Sequence, residues 1–267
     1  MSSTGGTTTV PGVRKTDMRR IIDALFSVWV WLNLLVVTIV LSLSAILGGL
    51  LRFHGVYDWA ARTWSLWMLR VSGARVRIEG MEFAAADRAR IFASNHQSWF
   101  DVFSLAAYLP GPYRFVAKKE LGQIPIFGHA WKAAGHISVD RGDRQSAIQT
   151  LNEAGARLRR DNGAVVIFPE GTRSPTGELL PFKKGAFMLA LHTGVDIVPV
   201  GISGSYAMHR KGSWIVRPGL IKVRIGPRIP TAEYTPEMRD ALIARVRAEI
   251  ERLMRADATP SPATTPS

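Results

Sequence analysis

Residues 90–109 read RIFASNHQSWFDVFSLAAYL. The first five form an apolar run of strand length, the polar Asn95-His96-Gln97-Ser98 breaks it, and the mostly apolar stretch from Trp99 has the length of a helix. The same alternation continues on both sides. Candidate strands lie at 75–79, 90–94, 114–117, 135–139, 164–168, 197–202 and 221–225. Helical stretches at 99–109, 124–134, 145–160 and 184–192 fall between them. A last helix opens at Thr235-Pro236, a cap followed by proline at the first helical position. This order implies an α/β fold, a mostly parallel sheet flanked by helices, over residues 73–255.

Upstream the pattern is different. From Ala24 to Leu51, 28 residues carry no charge, a length that as helix crosses the ~30 Å hydrocarbon layer of a bilayer. No small-residue cleavage site follows, so the segment is read as retained rather than as a signal peptide. Arg14, Lys15, Arg19 and Arg20 precede it and Arg52, Arg62 and Arg70 follow, which sets no orientation by the positive-inside bias. Three placements remain: a segment that enters one leaflet and returns at Gly48-Gly49, followed by a Trp-rich interfacial helix over 57–71; a full span; or a buried core helix. The chain thus divides into a disordered basic start (1–20), membrane-associated helices (21–72), the α/β domain (73–255) and a disordered tail (256–267).

The 267 residues exceed the ~100–200 of an average domain, consistent with one large domain plus an appendage. A hydrophobic fraction of 47% excludes a wholly disordered chain. There is no cysteine, which excludes disulfides, thiolate metal sites and cysteine nucleophiles and suits cytosolic exposure. The net charge of +13 is concentrated: residues 201–230 hold six basic side chains and no acid. Such a face wants an anionic partner. Five of the eight tryptophans (Trp29, Trp31, Trp59, Trp64, Trp67) lie in the first quarter, which favours lipid over nucleic acid. The six histidines have no paired ligand spacing, and Asp140-x-x-Asp143 is a weak exception, so no metal is expected.

Four stretches carry chemistry. In Asn95-His96-Gln97-Ser98-Trp99-Phe100-Asp101, five residues of ideal helix would turn by ~500° and separate His96 from Asp101. His96 is therefore expected in the loop and Asp101 in the first helical turns, where a carboxylate folding back on one ring nitrogen leaves the other as a general base. Phe168-Pro169-Glu170-Gly171-Thr172-Arg173-Ser174 follows an apolar strand, with glycine for close backbone approach and a forked cation for phosphate. Gly135-His136-Ile137-Ser138-Val139-Asp140-Arg141 is a third strand ending in charge, and Ile197-Val198-Pro199-Val200-Gly201-Ile202 is a structural apolar run. Each alone also fits a bland role, as a helix cap, a turn or a local ion pair.

Jointly and in this order the four resemble the glycerolipid acyltransferase family, specifically the bacterial 1-acyl-sn-glycerol-3-phosphate acyltransferases, over about residues 91–202. The His-x-x-x-x-Asp core and the Phe-Pro-Glu-Gly-Thr-Arg-Ser block match in full, while Ser138 stands where the family usually has an aromatic residue. The resemblance implies acyl transfer from acyl-CoA or acyl-carrier protein to the sn-2 hydroxyl of lysophosphatidic acid, giving phosphatidic acid in phospholipid synthesis. It implies no cofactor, and a site at the cytoplasmic face of the inner membrane. His96 is then the base and Asp101 its orienter. Arg173, with Arg141 and Lys118, holds the phosphate; Glu170 bonds the glycerol, and Gly171 and Thr172 belong to the binding loop, whose amides receive the oxyanion. Two alternatives stand beside it: the same chemistry on another lysolipid, such as lyso-ornithine lipid, and a noncatalytic protein that binds anionic membranes.

Overall fold

The computed structural model describes residues 15–53, 55–140, 142 and 144–256. Seven strands, β1 (Ala74–Glu79), β2 (Arg90–Ser94), β3 (Tyr113–Lys118), β4 (Ile137–Val139), β5 (Ala164–Ile167), β6 (Ile197–Ser203) and β7 (Gly219–Ile225), form one sheet in the order β1-β7-β6-β2-β5-β3-β4. All neighbours are parallel except β6 and β7. Eight α-helices are found among the described residues: α1 (Lys15–Leu50), α2 (Val56–Val71), α3 (Trp99–Tyr108), α4 (Phe127–Ala133), α5 (Arg144–Arg160), α6 (Lys184–Thr193), α7 (Ser205–Met208) and α8 (Arg239–Arg255).

Helices cover both faces of the sheet, so its central strands are apolar at every position and not at alternate ones. Phe92 and Val166 point into a core with Phe100, Phe103 and Phe115 under α1–α4. Their neighbours Ile91, Ala93, Val165 and Ile167 point the other way, into a core with Phe187, Leu242, Val246 and Ile250 of α6 and α8. The expected last helix begins as a 3-10 turn at Pro236–Met238 before α8.

The amino-terminal helix corrects three expectations. It starts at Lys15, so residues 15–20 are helical and not a disordered start. It continues through Gly48-Gly49, and the chain reverses after Leu50, where Arg52 takes φ 60°. The two glycines do not bend the helix: they let α2 fold back against it, since a Cβ on Gly48 would lie 2.7 Å from Val56 Cγ2 and one on Gly49 2.0 Å from Tyr57 Oη. Nor is α1 a core helix. Only 17% of its apolar window is buried, and Leu25, Trp29, Leu32, Leu35, Val36 and Val40 are exposed. At 36 residues it is about 54 Å long, well beyond the hydrocarbon thickness.

Candidate active site

The carboxyl ends of β2, β5, β3 and β6 lie on one edge of the sheet because these strands are mutually parallel, and ligands in open α/β folds collect at that edge. The loop after β2 is clamped first. Buried Asn95 accepts from the Ile202 N–H (2.7 Å) and donates to its carbonyl (2.8 Å), completing the pairing of β2 with β6 by a side chain.

His96 sits in the loop and Asp101 in the first turn of α3, with Nδ1 2.9 Å from Asp101 Oδ2. The same oxygen accepts the backbone N–H groups of Gln97 (2.6 Å) and Ser98 (2.8 Å), so the carboxylate that closes the capping box on the N-cap Ser98 is also the one that orients the imidazole. Asp101 is fully buried. With the hydrogen held on Nδ1 by this carboxylate, Nε2 is the ring nitrogen left as acceptor. Phe168 stacks on the imidazole at 4.0 Å between centroids and fixes the ring plane.

The loop after β5 grips His96 by its backbone. Glu170 Oε1 accepts the His96 N–H (2.7 Å), its Oε2 accepts the Leu180 N–H (3.0 Å), and the Ser174 N–H donates to the His96 carbonyl (2.7 Å). Both Glu170 oxygens thus serve backbone groups, and the side chain, 2% exposed, does not line the cavity beside His96. This corrects the expected bond to glycerol: Glu170 is a positioning residue. Burial pushes its carboxyl up to about 7 against the pull of the two amides. Gly171, at φ 71°, donates its N–H to the Phe168 carbonyl 2.9 Å away, which also removes it as an oxyanion donor.

His96 opens on a cavity of about 310 Å³. Lys118, Gly171, Thr172, Arg173 and Lys211 form its polar wall; Trp64, Trp99, Val102, Leu121, Phe127 and Trp131 are among the apolar residues facing them. A second, nearly all-apolar cavity of about 250 Å³ shares Trp64, Trp99, Leu121 and Phe127 and extends toward Val30, Trp31 and Leu34 of α1. Arg173 makes no ion pair among the described residues, although the Asp101 carboxylate acts on it electrostatically. Its guanidinium lies 5.1 Å over the Trp99 ring, and Nη1 is buried with no hydrogen bond. Desolvation pulls its pKa below the usual arginine value. A half-buried guanidinium with Nη1 left open is a receptor for an anion.

The lysines after β3 divide. Lys118 lines the cavity, whereas Lys119 pairs with Asp140. Arg141 lies outside the described residues, as does Asp143. Ser138 does not line this cavity; its hydroxyl accepts from Trp131 Nε1 at 3.2 Å, so it shapes the wall only through that indole. Trp99, Phe168 and Lys211 were not singled out by sequence reasoning. Lys211 was counted in the basic run 201–230, yet only folding brings it to the Thr172 hydroxyl (3.0 Å).

Known proteins resemble this chain over much of its length. The acyltransferase family model matches residues 75–203. The 1-acyl-sn-glycerol-3-phosphate acyltransferase of Saccharomyces cerevisiae is 34% identical over 78% of this chain and 69% of its own length. The protein of that name from Cocos nucifera is 34% identical over 74% of this chain, which spans 63% of the coconut protein's length, less than two thirds. The one from Pseudomonas aeruginosa is 28% identical over 83% of this chain and 89% of its own. The crystal structure of the 1-acyl-sn-glycerophosphate acyltransferase PlsC from Thermotoga maritima superposes with a TM-score of 0.78 at 26% identity, covering 91% of this chain and all of that one.

Proposed function

The chain belongs to the acyltransferase family, and on that premise we propose that it transfers a fatty acyl group from a thioester, acyl-CoA or acyl-carrier protein, to the sn-2 hydroxyl of lysophosphatidic acid. One observation carries the reading: the buried Asp101 carboxylate holds Nδ1 of His96 at 2.9 Å while the imidazole faces a cavity with cations on one wall and apolar side chains on the other. That cavity has the polarity of the acceptor.

His96 Nε2 takes the hydroxyl proton as the oxygen attacks the thioester carbonyl. Asp101 stabilises the resulting imidazolium, and collapse of the tetrahedral intermediate expels the thiolate, which recovers the proton. Such proton transfer contributes ~10²–10⁴-fold. No enzyme-bound acyl group and no cofactor is needed. Arg173, Lys118 and Lys211 hold the phosphate, with Arg141, outside the described residues, as a further candidate. The Thr172 and Arg173 amides, which donate to no group among the described residues, are the nearest replacements for Gly171 as oxyanion donors. The apolar cavity toward α1 takes an acyl chain.

The placement of α1 supports a membrane seat on the cytoplasmic side, where a lysolipid in the leaflet and a water-borne thioester can both reach His96. Because α2 doubles back on α1, we favour both helices sharing one leaflet over a full span.

The test is transfer by purified protein in detergent from oleoyl-CoA or acyl-carrier protein to lysophosphatidic acid, glycerol 3-phosphate and phosphate-free lysolipids. Turnover of lysophosphatidic acid is expected. Arg173→Ala should raise the acceptor KM roughly 10–100-fold, the value of a charge-assisted bond, and leave the donor KM in place. Preference for a lyso-ornithine lipid, or equal effects on both KM values, would remove the phosphate role. Inactivity with every donor and acceptor would favour a noncatalytic membrane binder.

A further inference from the structure

The basic run that drew attention in the sequence lies partly against α1. From its carboxyl end backward, the segment between α7 and β7 is fastened to that helix at successive levels. Arg217 Nε donates to Asp23 Oδ2 (2.8 Å), the Val216 N–H donates to Ser27 Oγ (2.9 Å), and Trp31 Nε1 donates to the Trp214 carbonyl (2.7 Å). Asp23, Ser27 and Trp31 follow one stripe, so the segment runs antiparallel to α1 over about 12 Å. Trp214 is 52% exposed, and on α1 the apolar Val28 (48%) and Leu35 (58%), each one turn from Trp31, are exposed as well. Arg210, Lys211 and Arg217 of the segment are exposed, with no acid between residues 201 and 230.

The other end of the segment reaches the catalytic loop. Ser98 Oγ donates to the His209 carbonyl (2.9 Å), and Lys211 Nζ donates to Thr172 Oγ1 (3.0 Å). His209 is 4% exposed and its ring meets Trp31 edge-on at 5.6 Å. A single short segment therefore joins α1 to both loops that build the active site.

We propose that the segment from His209 to Arg217 is a third membrane-contacting element, in which Trp214 enters the interfacial layer and Arg210 meets anionic lipid headgroups. An exposed indole beside an exposed apolar helix, in a segment that also carries the exposed Arg210, has the composition of such a contact. The occupant is a lipid surface: an acidic protein would match the cations and leave the indole and the adjoining apolar face of α1 in water. The proposal rests on the reading of α1 as seated in the membrane. Its consequence is that bilayer contact is transmitted to the wall holding Thr172 and to the cap of α3, through His209 and Lys211.

The chain's lack of cysteine makes the test direct. Trp214→Cys, Leu35→Cys on α1 and Arg160→Cys at the far end of α5 are each labelled with an environment-sensitive fluorophore in the full-length protein. They are reconstituted in phosphatidylcholine vesicles with and without phosphatidylglycerol, each variant being retained only if its melting temperature matches the wild type. The label at 214 is expected to shift to the blue and lose quenching by aqueous iodide, as at 35, while the label at 160 stays quenched. With phosphatidylglycerol present, Arg210→Ser should weaken the shift at 214, about fivefold in lipid titration, the value of one headgroup cation. A label at 35 in lipid with the label at 214 in water would overturn the proposal and leave the seating of α1 intact. Both labels in water would overturn both.

Discussion

The two faces of the sheet are built from the same strands and do different work. Under α6 and α8 the core is largely aliphatic, with Leu242, Val246 and Ile250 fully buried against Ile91, Val165 and Ile197. Under α1–α4 it is aromatic, with Phe100, Phe103, Phe115, Trp64, Phe127 and Trp131. There, a nearly all-apolar cavity of about 250 Å³ and the one of about 310 Å³ beside His96 remain between large flat rings. Under α6 and α8 branched aliphatic side chains interdigitate, the cavity of about 470 Å³ on that side lying beside α5, whereas rings meeting edge to face, such as Trp64 and Phe103 at 4.9 Å, leave room beside them. One face supplies stability, and the other carries the cavities we assign to substrate.

The sharpest way to break that division is at the loop joining the faces. Asp101→Asn keeps an acceptor for the Gln97 and Ser98 amides and removes the charge opposite Nδ1. It is expected to lower kcat by ~10²–10⁴-fold with little change in melting temperature; an unchanged kcat would reduce Asp101 to a helix cap. Next in size is Glu170, whose carboxyl is raised to about 7 in the fold by burial. Between pH ~4.5 and ~7 the unfolded chain ionises this group more readily than the folded one. Stability is therefore lost as pH rises through that window, by on the order of 3 kcal/mol. Denaturant titrations across it should show Glu170→Gln lacking this slope, while parallel slopes for the two proteins would contradict the account. Smallest is a paired insertion. Val246→Trp on the closed face should overpack and cost ~1–3 kcal/mol or more. Leu34→Trp, beside the α1 cavity, should cost less and shift the preferred donor or acceptor toward shorter acyl chains in competition assays. Equal stability losses would mean that the cavity is not built to be filled.

The strands were readable because a doubly covered parallel sheet needs continuous short apolar runs, and 90–94, 164–168 and 197–202 have no other use for such residues. His96 and Asp101 were readable because their spacing fits a loop followed by a first helical turn and does not fit a continuous helix. What failed to show was whatever depends on partners distant in sequence. Gly48-Gly49 looks like a break until Val56 and Tyr57 return against it. Glu170 looks like a substrate ligand until its two oxygens meet the His96 and Leu180 amides. Lys211 reaches Thr172 across 39 positions, and Trp99 acquires meaning only beneath Arg173.

The central claim is that the histidine beside Asp101 is the base of an acyl transfer. His96→Ala, assayed with oleoyl-CoA and lysophosphatidic acid under single-turnover conditions beside the wild type, measures it directly. The account predicts loss of the chemical step by ~10²–10⁴-fold with lysophosphatidic acid still bound. Retention of the wild-type rate would contradict it.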